Sequence, residues 1–300
     1  MAANRSIAFA TCSTAPGLAE DDKPLAAGLS ASGHRVEAAA WDDLTVDWTR
    51  YDTVIIRSTW NYHLHPQAFL AWLQRLESHQ LRIINPVDIL KWNMNKEYLA
   101  DLRQMDIPLP ETLFLKAGDT PDLDTIFQQT GWQQAVIKPC ISATAYNTWV
   151  TQPGTTDKDT KKLDRLLTTG RYLIQEFMEE VETEGEYSLI FFGRQYSHAV
   201  KKKAKKGDFR VQEQYGGQSL PTRPGPSIIR QAAAILDKAV PPDTSPHLLY
   251  ARVDGVMRKD IFTLMELELV EPSLFINKRT SAIRQFVYFF NNSFTAAAIC

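Results

Sequence analysis

Three acidic side chains and one guanidinium lie close together late in the chain, in Arg252-Val253-Asp254 and Glu266-Leu267-Glu268. On a β-strand, residues two apart share a face. Arg252 and Asp254 therefore point one way, and Glu266 and Glu268 point one way. A turn at Arg258–Asp260 would lay the two strands side by side and gather three carboxylates beside one guanidinium. Clustered carboxylates raise one another's pKa unless a cation neutralises them. Mg2+, a hard ion held by a few carboxylates plus substrate phosphates, suits such a set, with Mn2+ as a substitute. The same alternation also describes the outer face of a half-exposed sheet, so the pattern alone leaves both readings open.

Three lysines stand upstream. Lys138 ends the apolar run Val136-Ile137-Lys138-Pro139, Lys96 opens a helix, and Lys201 follows the strand Ser197–Val200. A lysine at a strand end beside a crevice is a point-charge partner for phosphate; taken singly, each is also an ordinary surface lysine. Small and hydroxyl residues follow Pro139, Ser142 among them, and would let backbone N–H groups approach a phosphate. Neither GxxxxGK[ST] nor GxGxxG occurs. The strand Leu173-Ile174-Gln175-Glu176-Phe177-Met178 turns acidic before Gly185-Glu186. That suits a purine held by backbone groups and a ribose held by a carboxylate, and equally an ordinary strand with a solvated acidic turn. The stretch 201–226 is rich in Lys, Gly and Pro without periodicity. It reads as a mobile loop that closes over polyphosphate, with Arg210 as its working part and Gly216-Gly217 giving it bending freedom.

These residues need a frame. Ile7–Thr11, Val36–Trp41, Thr53–Arg57 and Arg82–Asn85 read as strands, and Asp22–Ser32 and Pro66–Gln80 as helices. Such alternation favours a parallel sheet with helices on both faces, where ligands sit beyond the carboxyl ends of the strands. Ser58-Thr59-Trp60, at one such end, are therefore candidate substrate contacts, although packing of Trp60 against a neighbouring unit reads equally well. A helix from Asn95 to about Met105 follows. Then come strands Thr112–Leu115, Ala135–Pro139 and Tyr172–Met178, a helix around Leu123, Ile126 and Phe127, and a polar loop at 142–159. Two hairpins close the chain, Tyr187–Phe192 with Tyr196–Lys201 and Leu248–Met257 with Phe262–Val270.

Composition bounds the function. Three hundred residues suggest about two domains, with one to three allowed. Lys plus Arg is 33 against 35 Asp plus Glu, a net charge of −2, which argues against a general nucleic-acid binder, the run Lys201–Lys206 notwithstanding. Cys12, Cys140 and Cys300 form neither a disulfide framework nor a metal spacing, so a reducing compartment is expected. The first residues carry too short an apolar run for a signal peptide, and no stretch approaches the ~20 apolar residues of a membrane span. The expectation is a soluble, cytoplasmic protein with no membrane partner.

Taken in order, Lys96, Lys138-Pro139, Gln175–Met178, Glu186, Lys201, Arg210 with Gly216-Gly217, Arg252-x-Asp254 and Glu266-x-Glu268 resemble the ATP-grasp superfamily. Arg57-Ser58-Thr59-Trp60-Asn61-Tyr62-His63 and Glu268-Leu-Val-Glu271-Pro272-Ser273-Leu274 resemble, more narrowly, the branch containing D-cycloserine synthetase, close to prokaryotic glutathione synthetases. The resemblance implies an α/β and α+β protein. A Rossmann-like domain (1–92) would precede an ATP-grasp fold of two α+β subdomains (93–180, and 181–300 with the metal site), with ATP between them. It implies that Lys96, Lys138 and Ser142 meet phosphates, that Gln175, Glu176, Phe177 and Met178 hold adenine, and that Glu186 holds ribose. Lys201 and Arg210 would touch the γ-phosphate or acyl phosphate, Gly216 and Gly217 the substrate. Asp254, Glu266 and Glu268 would hold Mg2+, and Arg252 would stabilise an oxyanion. The implied activity is an ATP-dependent carboxylate–amine ligase working through an acyl phosphate on an amino-acid-like substrate. It would either close a ring, as in D-cycloserine synthesis, or join two molecules, as in dipeptide and glutathione ligases, and a homo-oligomer is compatible with both. A non-catalytic ATP-binding protein is the rival, against which retention of the three carboxylates and Arg252 argues. The sequence departs from the superfamily pattern in the glycine-free loop after Lys138, in Glu268 where many relatives have Asn, and in a tail without an obvious terminal helix.

Overall fold

A computed structural model describes residues 4–205, 210–211, 215–241 and 248–293. Strands β1 (Ser6–Thr11), β2 (Arg35–Ala40), β3 (Thr53–Ile56) and β4 (Arg82–Ile84) form an all-parallel sheet in the order β2-β1-β3-β4. Helices α1 (Lys23–Ala31) and α2 (Pro66–Ser78) connect them. Both carry proline in the first turn, where a missing N–H costs nothing. Helix α2 buries Phe69, Trp72, Leu73 and Leu76, one stripe at helical spacing, as the periodicity predicts. Helix α3 (Val87–Asn93), which the sequence reading did not anticipate, leads into α4 (Tyr98–Gln104). Lys96 therefore does not open a helix. It lies in the turn between α3 and α4, where the Asn95 side chain accepts the Glu97 N–H.

A second sheet, of order β5-β8-β6-β7, joins β5 (Thr112–Leu115), β6 (Ala135–Pro139), β7 (Trp149–Thr151) and β8 (Tyr172–Glu176), all antiparallel. Helices α5 (Leu123–Thr130) and α6 (Thr156–Leu167) cover it. The polar loop expected at 142–159 in fact contains β7 and the start of α6. Its few apolar anchors, Leu163 and Leu167, are four apart and both buried, which suffices for a helix with an otherwise charged face.

The third sheet, of order β11-β10-β9-β12-β13, follows the four-residue α7 (Glu180–Thr183). It contains β9 (Glu186–Phe192), β10 (Gln195–Lys203), β11 (Gln218–Thr222), β12 (Tyr250–Arg258) and β13 (Ile261–Glu268). Both expected hairpins form. The stretch read as a mobile loop is partly ordered: β10 runs through Lys203, and β11 pairs with it. Lys206 and residues 207–209 lie outside the described residues. Helix α8 (Pro226–Ala239), absent from the sequence reading, packs Ala232, Ile235, Leu236 and Ala239 on the sheet.

The chain end departs from expectation as well. Residues 282–292 form α9 (Ala282–Asn292), which packs Phe286 and Phe290 into a core shared with Leu25 and Leu29 of α1. Gly28 is what permits the approach, since a Cβ there would lie 2.5 Å from Ile283 Cγ2. Residues 294–300 of the tail, Cys300 included, lie outside the described residues. Among the described residues no helix is long and apolar enough to cross a membrane.

Candidate active site

Register brings the acidic residues together. Across β9, β12 and β13, Ser188 pairs with Asp254 and Asp254 with Glu266, while Arg252 pairs with Glu268. Directly opposed residues of antiparallel strands project to one face, so the hairpin reading holds. Asp254, Glu266 and Glu268 each present an oxygen, and the three oxygens lie within 4.8 Å of one another. The register shifts after Asp254, and the bulge needs Gly255, whose Cβ would otherwise stand 2.6 Å from the Thr263 carbonyl oxygen.

Strand β13 is a sheet edge, and side chains of the preceding helices satisfy its backbone. Asn93 donates to the Leu267 carbonyl and accepts the Leu269 N–H (both 2.8 Å), and Tyr98 Oη accepts the Leu267 N–H at 2.9 Å. An edge bonded this way is closed to further pairing and fixed in position.

Four cations balance the acids. Arg252 Nη2 lies 2.9 Å from Asp254 Oδ2 and 2.5 Å from Glu268 Oε1. Lys138 Nζ reaches Glu266 Oε1 at 3.1 Å, with Lys96 Nζ 3.7 Å from the same oxygen. Lys202 Nζ sits 2.9 Å from Asp254 Oδ2 and 3.0 Å from Glu186 Oε2. Burial works against charge on Glu266, but the Lys96 and Lys138 ammonium groups outweigh it and hold this carboxyl well below the usual range. Asp254 is likewise buried, and Arg252 and Lys202 bring its pKa down. Burial prevails at Glu186, which is pushed up to about 7 although Lys202 opposes it. Glu268 is raised by burial despite Arg252.

The phosphate-side residues converge from two further elements. The Lys96 backbone N–H donates to the Cys140 carbonyl at 2.7 Å, and its ammonium donates to the Ser142 carbonyl at 3.1 Å. Lys96, Lys138 and Ser142 thus share one corner with Glu266. The glycine-free loop turns by placing Thr144, Ala145 and Asn147 in the left-handed region, at φ 52°, 56° and 49°, conformations that cost free energy in residues with a Cβ.

Other expected residues are placed differently. Lys201 is not brought to the acidic face. It alternates with Lys202, and its ammonium stands 4.5 Å above the Tyr187 ring on the face that α8 covers. Lys202, which the sequence reading passed over, takes the place expected for it. Both faces of β10 are buried there, so no polar–apolar alternation marked which lysine turns inward. Gln175 is buried and donates to Thr112 Oγ1, and Glu176 pairs with Arg258 at 2.9 Å. Phe177 and Met178 are buried beside them. Arg210 stacks 3.8 Å over the Tyr215 ring, and Tyr215, just before Gly216-Gly217, donates to the Thr144 carbonyl in the loop after Lys138. Ser58 is buried with its hydroxyl donated to Asp22 at 2.7 Å, and Thr59 is buried; of the three, Trp60 alone is exposed, at 42%.

Residues 7–85 match the N-terminal domain family of the D-cycloserine synthetase DcsG. The cycloserine biosynthesis protein DcsG of Streptomyces lavendulae is 30% identical over 262 residues, spanning 85% of this chain and 87% of that relative. The chain belongs to the DcsG family. The crystal structure of D-cycloserine synthetase DcsG matches with a TM-score of 0.84 at 27% identity, over 96% of this chain and 99% of that one. D-alanine–D-alanine ligase from Bacillus anthracis, complexed with ATP, shares the fold at 12% identity and a TM-score of 0.67, over 97% and 98% of the two chains. The expected architecture, a mixed α/β protein of the ATP-grasp ligase type, is therefore borne out. Membership of the DcsG family makes the chain an ATP-dependent carboxylate–amine ligase.

Proposed function

We propose that this DcsG-family ligase closes a ring: it activates the carboxylate of an amino-acid-like substrate with ATP and delivers an amine nitrogen of the same molecule to it. The observation that carries the reading is the Arg252–Asp254–Glu266–Glu268 patch, in a chain that follows D-cycloserine synthetase over nearly its whole length. The domain division at 1–92, 93–180 and 181–300 is part of the proposal, with the nucleotide between the second and third sheets.

The donor set fits a hard divalent cation. Three carboxylates offer oxygens within 4.8 Å, and oxygen-only ligands with substrate phosphates are what Mg2+ takes. Asp254, Glu266 and Glu268 would hold it, and it would supply neutralisation of phosphate charge. Lys96, Lys138 and Lys202 would turn from their acidic partners to phosphate oxygens, which makes catalysis largely a matter of positioning and electrostatics. The substrate carboxylate attacks the γ-phosphorus in line, ADP leaves, and an acyl phosphate forms. The amine then attacks the acyl carbon. Arg252, already held by Asp254, Glu268 and the Ser273 carbonyl (3.1 Å), is oriented to stabilise the oxyanion. Inorganic phosphate departs with the amine's proton lost to solvent. Glu186 would hold ribose, and the backbone near Glu176 and Met178 adenine.

The test is incubation with ATP, Mg2+ and serine derivatives bearing an N–O nitrogen in the side chain, with mass-spectrometric product detection. The expected product is cyclised, forms with equimolar ADP and needs no second amino acid. ADP formation only when a second amino acid is present would mean an intermolecular ligase instead. ATP binding without turnover on any substrate would mean a non-catalytic protein.

A further inference from the structure

Arg258 joins the two sheets between which the nucleotide is proposed to lie. It ends β12, four residues after Asp254, and alternate residues of a strand share a face. The opposite face of β12, with Ala251, Val253 and Met257, packs into the core that α8 covers. Arg258 therefore stands on the acidic face, about 13 Å along the strand from Asp254. That span is on the scale of a nucleoside triphosphate.

Arg258 Nη2 donates to Glu176 Oε1 at 2.9 Å, and its Nε donates to Glu180 Oε1 at 3.1 Å. Glu176 is the last residue of β8, in the second sheet, and Glu180 is the first of α7. One guanidinium on the third sheet thus holds both ends of the short stretch by which the chain leaves the second. Between those ends Phe177 and Met178 are buried. The Glu176 N–H donates to the Glu111 carbonyl at 2.9 Å, and the Phe177 N–H to the Gln134 carbonyl at 3.1 Å. These bonds tie the stretch to the second sheet, and Arg258 ties it to the third. Glu180 Oε2 is buried without a partner, and Arg258 provides the one ion pair of this carboxylate among the described residues. A planar guanidinium fork can serve two carboxylates from fixed directions, which a point-charge ammonium does less well.

We infer that Arg258 is a positioning residue for the nucleotide: by holding Glu176 and Glu180 it sets the spacing of the two sheets at the base end of the cleft. The inference rests on the nucleotide placement proposed above and deepens it. Without the guanidinium, Glu180 would be left buried and unpaired, and the Glu176 and Glu180 carboxylates would repel one another. The 176–180 stretch would shift, and with it the backbone groups proposed for adenine. The phosphate end of the cleft, lined by Lys96, Lys138 and Lys202, would stay as it is.

The experiment is calorimetric binding to the full chain, with Mg2+, of a non-hydrolysable ATP analogue and of inorganic tripolyphosphate, which has no base. Wild type, Arg258→Gln, Arg258→Lys, Glu180→Gln and the double variant Arg258→Gln, Glu180→Gln are compared. Arg258→Gln should weaken the ATP analogue by about five- to tenfold, the scale of two partly exposed ion pairs. Arg258→Lys should fall between wild type and Arg258→Gln. The double variant should lose no more than the worse single variant, because both substitutions break one contact. Tripolyphosphate should bind all five proteins alike. Unchanged analogue affinity in Arg258→Gln, additive losses in the double variant, or an equal loss for tripolyphosphate would each overturn the inference while leaving the ligase reading intact. A wild type that binds no analogue would overturn both. Variants that behave as expected in a protein yielding no cyclised product would leave Arg258 in its role and remove the ring-closing reading instead.

Discussion

Lys202 Nζ lies 2.9 Å from Asp254 Oδ2, and it reaches 3.0 Å on the other side to Glu186 Oε2, so one ammonium ties three adjacent strands across the acidic face. Lys202 is 8% exposed and Asp254 1%. Without Lys202, Asp254 would keep Arg252, but Glu186 would lose its cation, and removing one partner of a buried pair costs about 3–5 kcal/mol. Lys202→Met should therefore lower the free energy of unfolding by that order, and Lys201→Met, on the opposite face, by far less. Urea unfolding of the two variants checks the assignment. Equal losses would show that the inward-facing lysine has been misidentified.

Glu266 gathers Lys138 and Lys96 as well as two neighbouring carboxylates. Glu266→Gln keeps the shape and removes the charge. Turnover should fall by about a hundred- to a thousandfold, the scale of losing a principal electrostatic group, and the melting temperature should fall as well, because Lys138 and Lys96 lose their anion. ADP release at saturating Mg2+ is the measurement. Chelation by EDTA should stop wild-type ADP release, and added Mn2+ should restore part of it.

Asp22 receives Arg57 and Ser58 at 2.7 Å each, and Arg57 in turn donates to the Pro272 carbonyl at 3.0 Å. Asp22→Asn leaves the Arg57 guanidinium buried without its anion, at a cost of about 3–5 kcal/mol. It should also loosen the segment that Arg57 holds through Pro272. Hydrogen exchange of residues 271–276 should speed up in the variant before global unfolding does. Asp21 accepts the backbone N–H groups of Leu274 and Ile276 at 2.7 and 2.5 Å, and unchanged exchange would show that these bonds alone hold the segment.

His198 Nε2 donates to the Leu274 carbonyl at 2.9 Å, and its Nδ1 lies 3.0 Å from the Ser197 hydroxyl. Burial lowers its pKa below 6.5, outweighing the Leu274 carbonyl, which favours the charged ring. The unfolded chain therefore binds more protons just below pH 6.5 than the folded chain does. This group's contribution to stability is present above that pH and is lost as pH falls toward the depressed folded value. The raised carboxyls Glu186 and Glu271 tilt stability the other way, since burial makes the folded chain hold their protons to higher pH. The sign is read from the difference between wild type and His198→Gln: between about pH 7 and pH 5.5, wild type should lose more stability than the variant. Parallel pH profiles would remove His198 from this account.

Much of the site was legible because it is local. Arg252 and Asp254, or Glu266 and Glu268, need only a period of two and a short turn to face the same way, and both are written in a few consecutive residues. Helix α2 declared itself through a four-residue apolar stripe. Helix α6 did not, because its buried apolar positions are only Leu163 and Leu167; α8 carries Ile228, Ile229, Ile235 and Leu236, but directly after a Gly- and Pro-rich stretch that reads as loop.

By itself the sequence determined the chemistry available to this protein: the hairpin that gathers three carboxylates around Arg252, the lysine at the end of β6, and the parallel N-terminal sheet. Tertiary structure decided which groups use it. Lys202 rather than Lys201 faces the acids because β10 is buried on both sides and only its pairing with β9 sets the phase. Ser58 is committed to Asp22, and the 271–276 segment is fixed by Asp21 and Arg57, through contacts spanning 36 to 255 positions along the chain. Contacts that distant form only when whole sheets pack, so no short stretch of sequence can encode them.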